Sequence, residues 1–451
     1  MTRTNRLCLA LLAALASLTT SVFADTLEVG PGKPHEIIET AYRDARPGDV
    51  IAIYPKADGK PYSLALKVQK YGITFRGVSK DGKRVHISGE GFVYTGSGKA
   101  PRAIFEFRKK ADENTIENLL LSDARNKPGN AAGVRINQAN KITIRNCEIR
   151  FCDMGVISNG DLESNTAADQ RIFDSELHHN GSDRFRGGSH NLYLDGTSAW
   201  IRGCYIHDST VGHNLKARTH LTRIEYCRFR DAAEREIDIV NSASTMPLGS
   251  NAIVLGCDIA KRRGTNGNQG VFFFGADTGK TQRNGTLYIV NSTVSTPYNA
   301  GLVVLKSRFP ASKEAPGVFV EFYNNIIWAD GKRGRGRRIA EAYGSGDTNK
   351  VTGRRNWFCF GYRPGANSRV DPRENVVGGV RDRPPFLDGP GRDFRMKSTE
   401  MFGGKAIPLA DLKLPNFGGD PDDGKLRQFT APLGCELRPE GAPDLGAYKI
   451  G

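Results

Sequence analysis

The central half of the chain carries a series of short alternating strands, each ending in a pair of small or amide-bearing residues. The stretches include ITIRNCEI, WIRGCYI, RIEYCRF and IVLGCDI. Taking the second residue of each pair as an anchor gives Leu119, Cys147, Ser175, Cys204, Cys227, Cys257, Ser292 and Asn325. Successive anchors lie 28, 28, 29, 23, 30, 35 and 33 residues apart. Such a long quasi-period indicates a solenoid, a propeller or another repeat array.

The shortest step decides between these architectures. A propeller blade needs four strands and about 40 residues, which a step of 23 residues cannot supply. Leucine-rich repeats would show a leucine-dominated frame, and the sequence has none. Short strands joined by loops of variable length suit a parallel β-helix, whose coils each bury one face against their neighbours. We therefore predict an all-β fold, a single-stranded parallel β-helix.

The cysteines follow the same repeat. Four of the eight cysteines occupy the anchor position: Cys147, Cys204, Cys227 and Cys257. Stacked coils would place them in one inward-facing row, about 4.8 Å apart per coil. A free cysteine behaves there as a small buried hydrophobe. A disulfide among them is the alternative that an exported protein would permit.

The N-terminus reads as a targeting segment. Arg3 and Arg6 precede an apolar run, Leu7 to Leu18, that is too short to span a bilayer. A small-residue cleavage pattern follows and ends at Ala24. We predict that residues 1–24 are a signal peptide and that the protein is exported, to the periplasm or the extracellular space. No later stretch is apolar enough to predict a membrane span.

The charge of the chain predicts the sign of its partner. The whole chain has a formal net charge of +15, and removal of Arg3 and Arg6 leaves 15 − 2 = +13. A basic exported protein favours anionic partners, and we expect an anionic polysaccharide rather than nucleic acid, bound by a monomer. The dense basic segment 332–338 either contacts this polyanion or is a solvated loop.

Both ends of the mature chain resemble a known superfamily. Near the N-terminus, Ile37, Ile38, Ala41 and Ala45 lie at helical spacing between two predicted strands. This cap helix, the PGDVIAIYP turn and the ITFRG strand resemble the right-handed parallel β-helix superfamily of pectate-lyase-like proteins. The C-terminal PPFLDGPGRDFRM and APDLGAYKIG resemble the closing segment of its exported bacterial members.

This resemblance implies a right-handed solenoid with an N-terminal capping helix. Residues 25–100 would form the cap and first coils, residues 101–330 the central coils, and residues 331–451 the last coils, the basic loop and the closing segment. The superfamily includes lyases, hydrolases, epimerases and non-catalytic adhesins, so the resemblance does not choose a function.

Two His-Asn-Leu triplets mark a candidate site. His190 and His213 each lie 14 residues before an anchor cysteine, so their strands are predicted to be in register. Alternation turns Leu192, Leu194, Leu215 and Ala217 inward. It predicts three solvent-facing rows: Asn191, Asn214 and Glu236; Tyr193, Lys216 and Asp238; and Asp195 with Arg218.

These rows suit proton chemistry on an anionic sugar. In β-elimination from a uronate, a base removes the C5 proton while a cation neutralises the carboxylate. We predict Lys216 as the base, its pKa lowered by neighbouring cations, and Arg218 as the carboxylate clamp. Tyr193 or His213 would be the acid. His190 and His213 have inward parity, so backbone hydrogen bonds at the strand starts are their alternative role.

The remaining side chains of the rows, Asn191, Asn214, Glu236, Asp238 and Asp195, are predicted to bind substrate. Glu236 and Asp238 could also bind Ca²⁺ through oxygen ligands, with pairing to Lys216 and Arg218 as the alternative. The same two carboxylates, about 7 Å apart on one strand face, could serve a glycoside hydrolase. The rows are also compatible with a C5-epimerase, with a non-catalytic glycan-binding solenoid, and with a ladder of surface charges that only keeps the protein soluble.

Overall fold

The computed structural model describes residues 24–79, 81–92, 102–262, 264–265, 267–268, 270–277, 279–296, 302–309, 317–329, 337–344, 350–363, 368–369, 374–379, 381–417, 425–438 and 444–449. The predicted signal peptide therefore lies almost wholly outside the described residues. Of the basic segment 332–338, only Arg337 and Arg338 are described, in a short strand that pairs with Tyr362–Arg363.

Three long parallel sheets, here called A, B and C, wind around one core, and each coil contributes one strand to each sheet in turn. Sheet A contains Thr26–Val29, Val50–Ile53, Thr74–Gly77, Thr115–Glu117, Thr143–Arg145, Gln170–Phe173, Ser198–Arg202, Leu221–Glu225, Ala252–Leu255, Gly285–Val290, Val318–Tyr323, Lys350–Arg354 and Ser368–Arg369. Sheet B contains Tyr62–Ser63, Val85–Ser88, Leu119–Ser122, Glu148–Arg150, Glu176–His178, Tyr205–His207, Arg228–Arg230, Asp258–Ala260, Thr293–Ser295, Ile326–Trp328, Trp357–Phe358 and Val376–Val377.

Sheet C contains Leu66–Val68, Ala103–Phe107, Ala132–Asn137, Met154–Asn159, Leu192–Leu194, Leu215–Ala217, Ile237–Val240, Phe272–Gly275, Val303–Ser307 and Ala340–Gly344. Two antiparallel pairs lie near the C-terminus, Phe386–Asp388 with Asp393–Met396 and Arg427–Phe429 with Cys435–Leu437. Short 3₁₀ turns occur at Asp183–Phe185, Ala243–Thr245 and Leu409–Leu412. The predicted parallel β-helix is confirmed.

The helix α1, Ile38–Asp44, packs at the N-terminal end of the solenoid. Ile38 and Ala41 are buried, as their spacing predicts, and Ala45 is buried just beyond the helix. Ile37 is 50% exposed, because it precedes the first helical turn in extended conformation. The helix therefore begins one residue later than the apolar pattern suggests.

The anchor residues form the predicted inward row. Cys147, Cys204, Cys227 and Cys257 are fully buried free thiols. Along this row, the backbone N–H of an anchor residue donates to the side chain of the anchor residue in the next coil. The amide of Cys147 donates to Ser175 Oγ at 3.0 Å, for example. The prediction of stacked free cysteines is confirmed.

The C-terminal segment folds back over the outside of the coils. Leu412 packs with Ile253 and Leu255 of sheet A. Over sheet B, the Tyr448 hydroxyl donates to Asp258 Oδ2 at 2.7 Å. The outer face of sheet C instead carries the polar side chains described next. Among the described residues, no helix has the length and apolarity needed to cross a membrane.

Candidate active site

The middle predicted row is confirmed in its register. Within sheet C, Tyr193 pairs with Lys216, and Lys216 pairs with Asp238. The residues on either side of these three point into the core: Leu192, Leu194, Leu215, Ala217, Ile237 and Ile239 are fully buried. The anchor spacing therefore identified three side chains that lie next to one another on three successive coils.

Lys216 contacts two carboxylates and is only 5% exposed. Its Nζ is 3.2 Å from Asp238 Oδ2 and donates to Asp277 Oδ2 at 2.8 Å. Burial lowers the pKa of Lys216, but the two carboxylates outweigh burial and the net pKa is raised. The prediction of a lowered pKa is wrong, because the dominant neighbours are anions rather than cations.

Arg218 connects Asp277 to Tyr193 at the half-buried edge of the same face. Arg218 Nε donates to the Tyr193 hydroxyl oxygen at 2.9 Å, and Nη2 donates to Asp277 Oδ2 at 3.1 Å. A further bond from Nη1 to the carbonyl of Asn241 fixes the guanidinium. Burial lowers the pKa of Arg218, but attraction to Tyr193 and Asp277 raises it above its ordinary value.

Asp277 is a site residue that sequence reasoning missed. It follows the strand Phe272–Gly275, outside the alternating pattern, and lies 61 residues after Lys216. Its backbone N–H donates to Asn241 Oδ1 at 2.6 Å, which holds the start of this loop against the preceding coil. A loop residue beyond the end of a strand carries no periodic signal, so only the folded coil brings it to Lys216.

Asp238 is buried among three partners. Besides Lys216, it contacts Arg235 Nη1 at 3.0 Å through Oδ1 and His213 Nε2 at 3.3 Å through Oδ2. Burial raises the pKa of Asp238, but these three neighbours lower it well below its usual range. Asp238 is therefore an ionised, structurally paired carboxylate, and the predicted direct contact with substrate is not supported by its 1% exposure.

The two histidines serve the backbone. His190 Nδ1 accepts from the His213 N–H at 3.0 Å, and His213 Nδ1 accepts from the Arg235 N–H at 3.0 Å. Their rings stack with centroids 5.0 Å apart. Burial lowers the pKa of His213 to about 4 and that of His190 well below its usual range. The backbone-bonded alternative is confirmed, and His213 directs its other nitrogen at Asp238.

The first predicted row does not face solvent. Asn191 Nδ2 donates to Asn214 Oδ1 at 2.8 Å, and Asn214 Nδ2 donates to Glu236 Oε2 at 2.6 Å, with all three residues fully buried. The row lies at the corner between sheets B and C, where the bend of the chain turns these side chains inward. The prediction that these three side chains face solvent is therefore wrong.

Glu236 is held inside this corner. Burial raises the pKa of its carboxyl to about 7, although Lys261 Nζ lies 3.7 Å from Oε1. Glu236 and Asp238 thus have different surroundings. Glu236 lies in the buried row next to Asn214, and Asp238 lies among the cations Lys216 and Arg235. They do not fit a shared Ca²⁺ site, nor the paired carboxylates of a hydrolase, which must both reach the substrate.

Asp195 remains at the edge of the candidate site. It is partly buried, and its Oδ1 accepts from the Gly196 N–H at 2.8 Å. Burial raises the pKa of its carboxyl, and attraction to Arg218 opposes that rise. Of the predicted residues, Tyr193, Arg218 and Asp195 are the three that keep partial exposure on this face.

A second polar cluster, absent from the sequence predictions, lies at the corner that follows sheet B. It contains His178, His179, His207, Glu176 and Asp208. His179 and Asp208 line a groove of about 770 Å³. The signal that could have found the cluster is positional, because His178 and His207 each follow an anchor residue by three positions.

Comparisons with known proteins bear on the fold. Residues 132–327 match the family model described as "Right handed beta helix region". No curated protein matches the chain. Among solved structures, the pectate lyase Pel9A is 13% identical with a TM-score of 0.44, covering 95% of this chain and 97% of its own.

Two further structures are similar at lower scores. Pectin methylesterase PemA from Erwinia chrysanthemi is 12% identical with a TM-score of 0.29, covering 78% of this chain and 92% of its own. The PL6-family alginate lyase AlyGC is 10% identical with a TM-score of 0.37, covering 88% of this chain and 59% of its own. Such identities carry no information on substrate. The order of the strands shows a parallel β-helix, and the match over residues 132–327 is to a right-handed one, so the fold of this chain is a right-handed parallel β-helix.

Proposed function

We propose that this protein is an exported polysaccharide lyase that cleaves a uronate-containing glycan by β-elimination on the outer face of sheet C. One observation supports this proposal above the others. Lys216 Nζ and Arg218 Nη2 both donate to a single carboxylate oxygen, Oδ2 of Asp277. Two cations that converge on one carboxylate form a place that a uronate carboxylate can occupy once Asp277 moves aside.

The loop position of Asp277 makes this exchange feasible. Its side chain is 31% exposed, whereas that of Lys216 beneath it is 7% exposed. Asp277 therefore lies between Lys216 and solvent. A substrate carboxylate that displaced it would keep both cations paired, so the exchange leaves no buried charge unpaired.

The raised pKa of Lys216 changes the role that we assign to it. A protonated Lys216 cannot take the C5 proton, but together with Arg218 it can neutralise the uronate carboxylate and stabilise the charge that develops after deprotonation. The Tyr193 hydroxyl is then the proton-transferring group. Its oxygen accepts from Arg218 Nε at 2.9 Å, a contact that holds the hydroxyl beside the cation that would bind the uronate carboxylate.

The reaction step balances with these groups. In the proposed step the Tyr193 oxygen, after passing its own proton to solvent, takes the C5 proton, and the C5–H electron pair forms the C4=C5 double bond. The C4–O bond breaks, and its electrons leave with the glycosidic oxygen. Tyr193 can return the proton to that oxygen, so the products are an unsaturated uronate and a new chain end with a hydroxyl group.

The direct experiment incubates the mature protein with a panel of uronate polysaccharides and follows the ultraviolet absorbance of the unsaturated product. An increase on at least one polymer is expected. New reducing ends without that absorbance would contradict the elimination and indicate hydrolysis. Retention of the protein on a polymer with no bond cleavage would indicate a glycan-binding solenoid. A change of the C5 configuration without cleavage, seen by NMR, would indicate an epimerase.

Substitutions distinguish the charge-stabilising role of Lys216 from the proton-transferring role of Tyr193. Lys216→Ala should lower kcat/KM by about 100-fold or more, because it removes charge that stabilises the transition state. Lys216→Arg should keep part of the activity if the residue acts as a cation and none if it acts as a base. Tyr193→Phe should lower kcat by about 100-fold with little change in KM.

A matched control lies on the same row of sheet C. Lys67 pairs with Glu106 in the first coils of that sheet, several coils from Lys216. Lys67→Ala should leave turnover unchanged.

Asp277→Ala should lower KM, since the carboxylate that competes with substrate is gone. A raised KM would show instead that Asp277 holds the site together.

The mass of the exported protein tests the predicted start of the mature chain near Asp25.

A further inference from the structure

The corner after sheet B gathers three imidazoles and two carboxylates beside the groove described above, which His179 and Asp208 line. His178 and His207 occupy equivalent positions on neighbouring coils, where the two residues are direct partners in the parallel ladder. Their rings stack with centroids 4.8 Å apart and an interplanar angle of 6°. His179 lies at the turn beyond, with its ring edge-on to both. These contacts are separate from the residues of sheet C.

The donor atoms of this cluster approach one another closely. His207 Nδ1 is 2.8 Å from Asp208 Oδ2, and His178 Nδ1 is 2.7 Å from His179 Nδ1. His179, His207 and Asp208 each offer one possible ligand atom, and these three atoms lie within 4.8 Å of one another. Two imidazoles and one carboxylate at this separation are a donor set that first-row divalent ions take, with positions left open for water or a ligand.

The glutamates behind the rings fix their orientation. Glu176 Oε1 lies 3.1 Å from His207 Nε2, and Glu148 Oε1 lies 3.4 Å from His178 Nε2. A histidine whose outer nitrogen is held by a carboxylate presents the other nitrogen as a ligand, which is the usual outer partner arrangement of metal-binding imidazoles. The hydrogen bond to Glu176 thus directs His207 Nδ1 towards Asp208.

The backbone also presents two of the ligands at the edge of the groove. His179 and Asp208 both have left-handed backbone conformations, with φ of 52° and 47°. Both line the groove, whose other walls carry charged side chains such as Arg125 and Arg184. Arg262 Nη2 lies 3.5 Å from Asp208 Oδ1, on the side away from His207. An ion held here would therefore face solvent and any ligand in the groove.

We propose that His179, His207 and Asp208 form a binding site for a borderline divalent transition-metal ion, of which Zn²⁺ is the probe, at the edge of this groove. Glu176 is a positioning residue that acts through His207. Ca²⁺ is not expected to bind here, because it prefers sites made of oxygen ligands. The site is independent of the proposed lyase reaction, so either can fail alone.

Calorimetric titration of the untagged, chelator-treated mature chain with Zn²⁺ tests the site. We expect saturable binding of one ion per chain, which Ca²⁺ in excess does not displace. Asp208→Asn keeps the size of the side chain and the tolerance of the residue for a left-handed backbone. We expect this variant to lose Zn²⁺ binding, or to bind Zn²⁺ at least as weakly as the Glu176→Gln variant does. Glu176→Gln should weaken binding by about 10- to 100-fold.

Controls make the outcome decisive. His86→Ala removes a histidine from the outer face of sheet B, three coils before His178, and should bind Zn²⁺ like the unchanged chain. Circular dichroism checks that each variant is folded. Absence of saturable Zn²⁺ binding by the unchanged chain, or unchanged affinity in both Asp208→Asn and His207→Ala, would overturn the proposal.

Discussion

Two stacked pairs of histidines lie on neighbouring coils and have opposite surroundings. In the pair His190 and His213, each Nδ1 accepts a backbone N–H from the next coil. In the pair His178 and His207, each Nε2 contacts a glutamate and each Nδ1 faces another side chain. The stacking distances, 5.0 and 4.8 Å, are almost the same.

The comparison teaches that a repeated histidine is not by itself a sign of chemistry. A parallel β-helix stacks equivalent residues whatever they do. An imidazole whose acceptor nitrogen satisfies a buried amide supports the fold, whereas one oriented by a carboxylate, with its second nitrogen beside another ligand-type side chain, can take part in binding an ion. The sequence drew attention to the first pair because its triplets match, whereas the second pair has the carboxylate contacts on which the proposed metal site depends.

The largest expected effect on stability comes from breaking the first pair. His190→Ala should lower the free energy of unfolding by about 3 kcal/mol, since it leaves a cavity and an unpaired buried N–H of His213. Chemical denaturation measures this loss. His190→Asn offers an oxygen in place of Nδ1 and should recover part of it. Equal losses in both variants would show that the hydrogen bond contributes little.

The second prediction concerns the pH dependence of the same pair. The pKa of His213 is about 4 in the folded protein because the ring is buried near Lys216 and Arg235, although Asp238 opposes this effect. The unfolded chain therefore binds more protons as the pH falls below the ordinary histidine value. Folding stability should fall between about pH 6.5 and 4, by up to about 3 kcal/mol.

His213→Asn isolates that contribution. The variant keeps an acceptor for the Arg235 N–H but has no ring to protonate. Unfolding curves recorded across this pH range should show a smaller acid loss for the variant than for the unchanged protein. Parallel curves would mean that other groups account for the acid sensitivity, and that His213 has an ordinary affinity for protons.

A smaller effect is expected from the second pair. His178→Ala should lower the free energy of unfolding by about 1 kcal/mol, because its partner Glu148 keeps its ion pairs with Arg84 and Arg150 when the ring is removed. A loss as large as that of His190→Ala would remove the distinction between a structural and a ligand-facing pair. Chemical denaturation without added metal is the measurement.

The smallest effect is expected in the interior cysteine row. Cys227→Ala removes one sulfur atom, which is only a weak acceptor for the Cys204 N–H at 3.5 Å, and should lower the free energy of unfolding by about 1 kcal/mol or less. Neither Zn²⁺ binding nor turnover should change. A loss of several kcal/mol would show that the thiol contacts along the row contribute more than simple packing.

Much of the fold was predictable because the repeat is local. The anchor spacing set the register of the coils, and strand alternation correctly turned Leu192, Leu194, Leu215 and Ala217 inward. It failed for Asn191 and Asn214, because alternation applies to an extended strand and these residues lie at a corner. It failed for the pKa of Lys216, because the second carboxylate comes from a loop.

The winding of the chain into coils, and the neighbouring positions of Tyr193, Lys216 and Asp238, follow from the amino-acid sequence. These features depend on strand period and coil length, which are properties of the sequence. The contact of Asp277 with Lys216, and the meeting of His179, His207 and Asp208 beside a groove, arise from the packing of the folded coils. Corners and loops have no period, so their side chains find partners only when the coils stack.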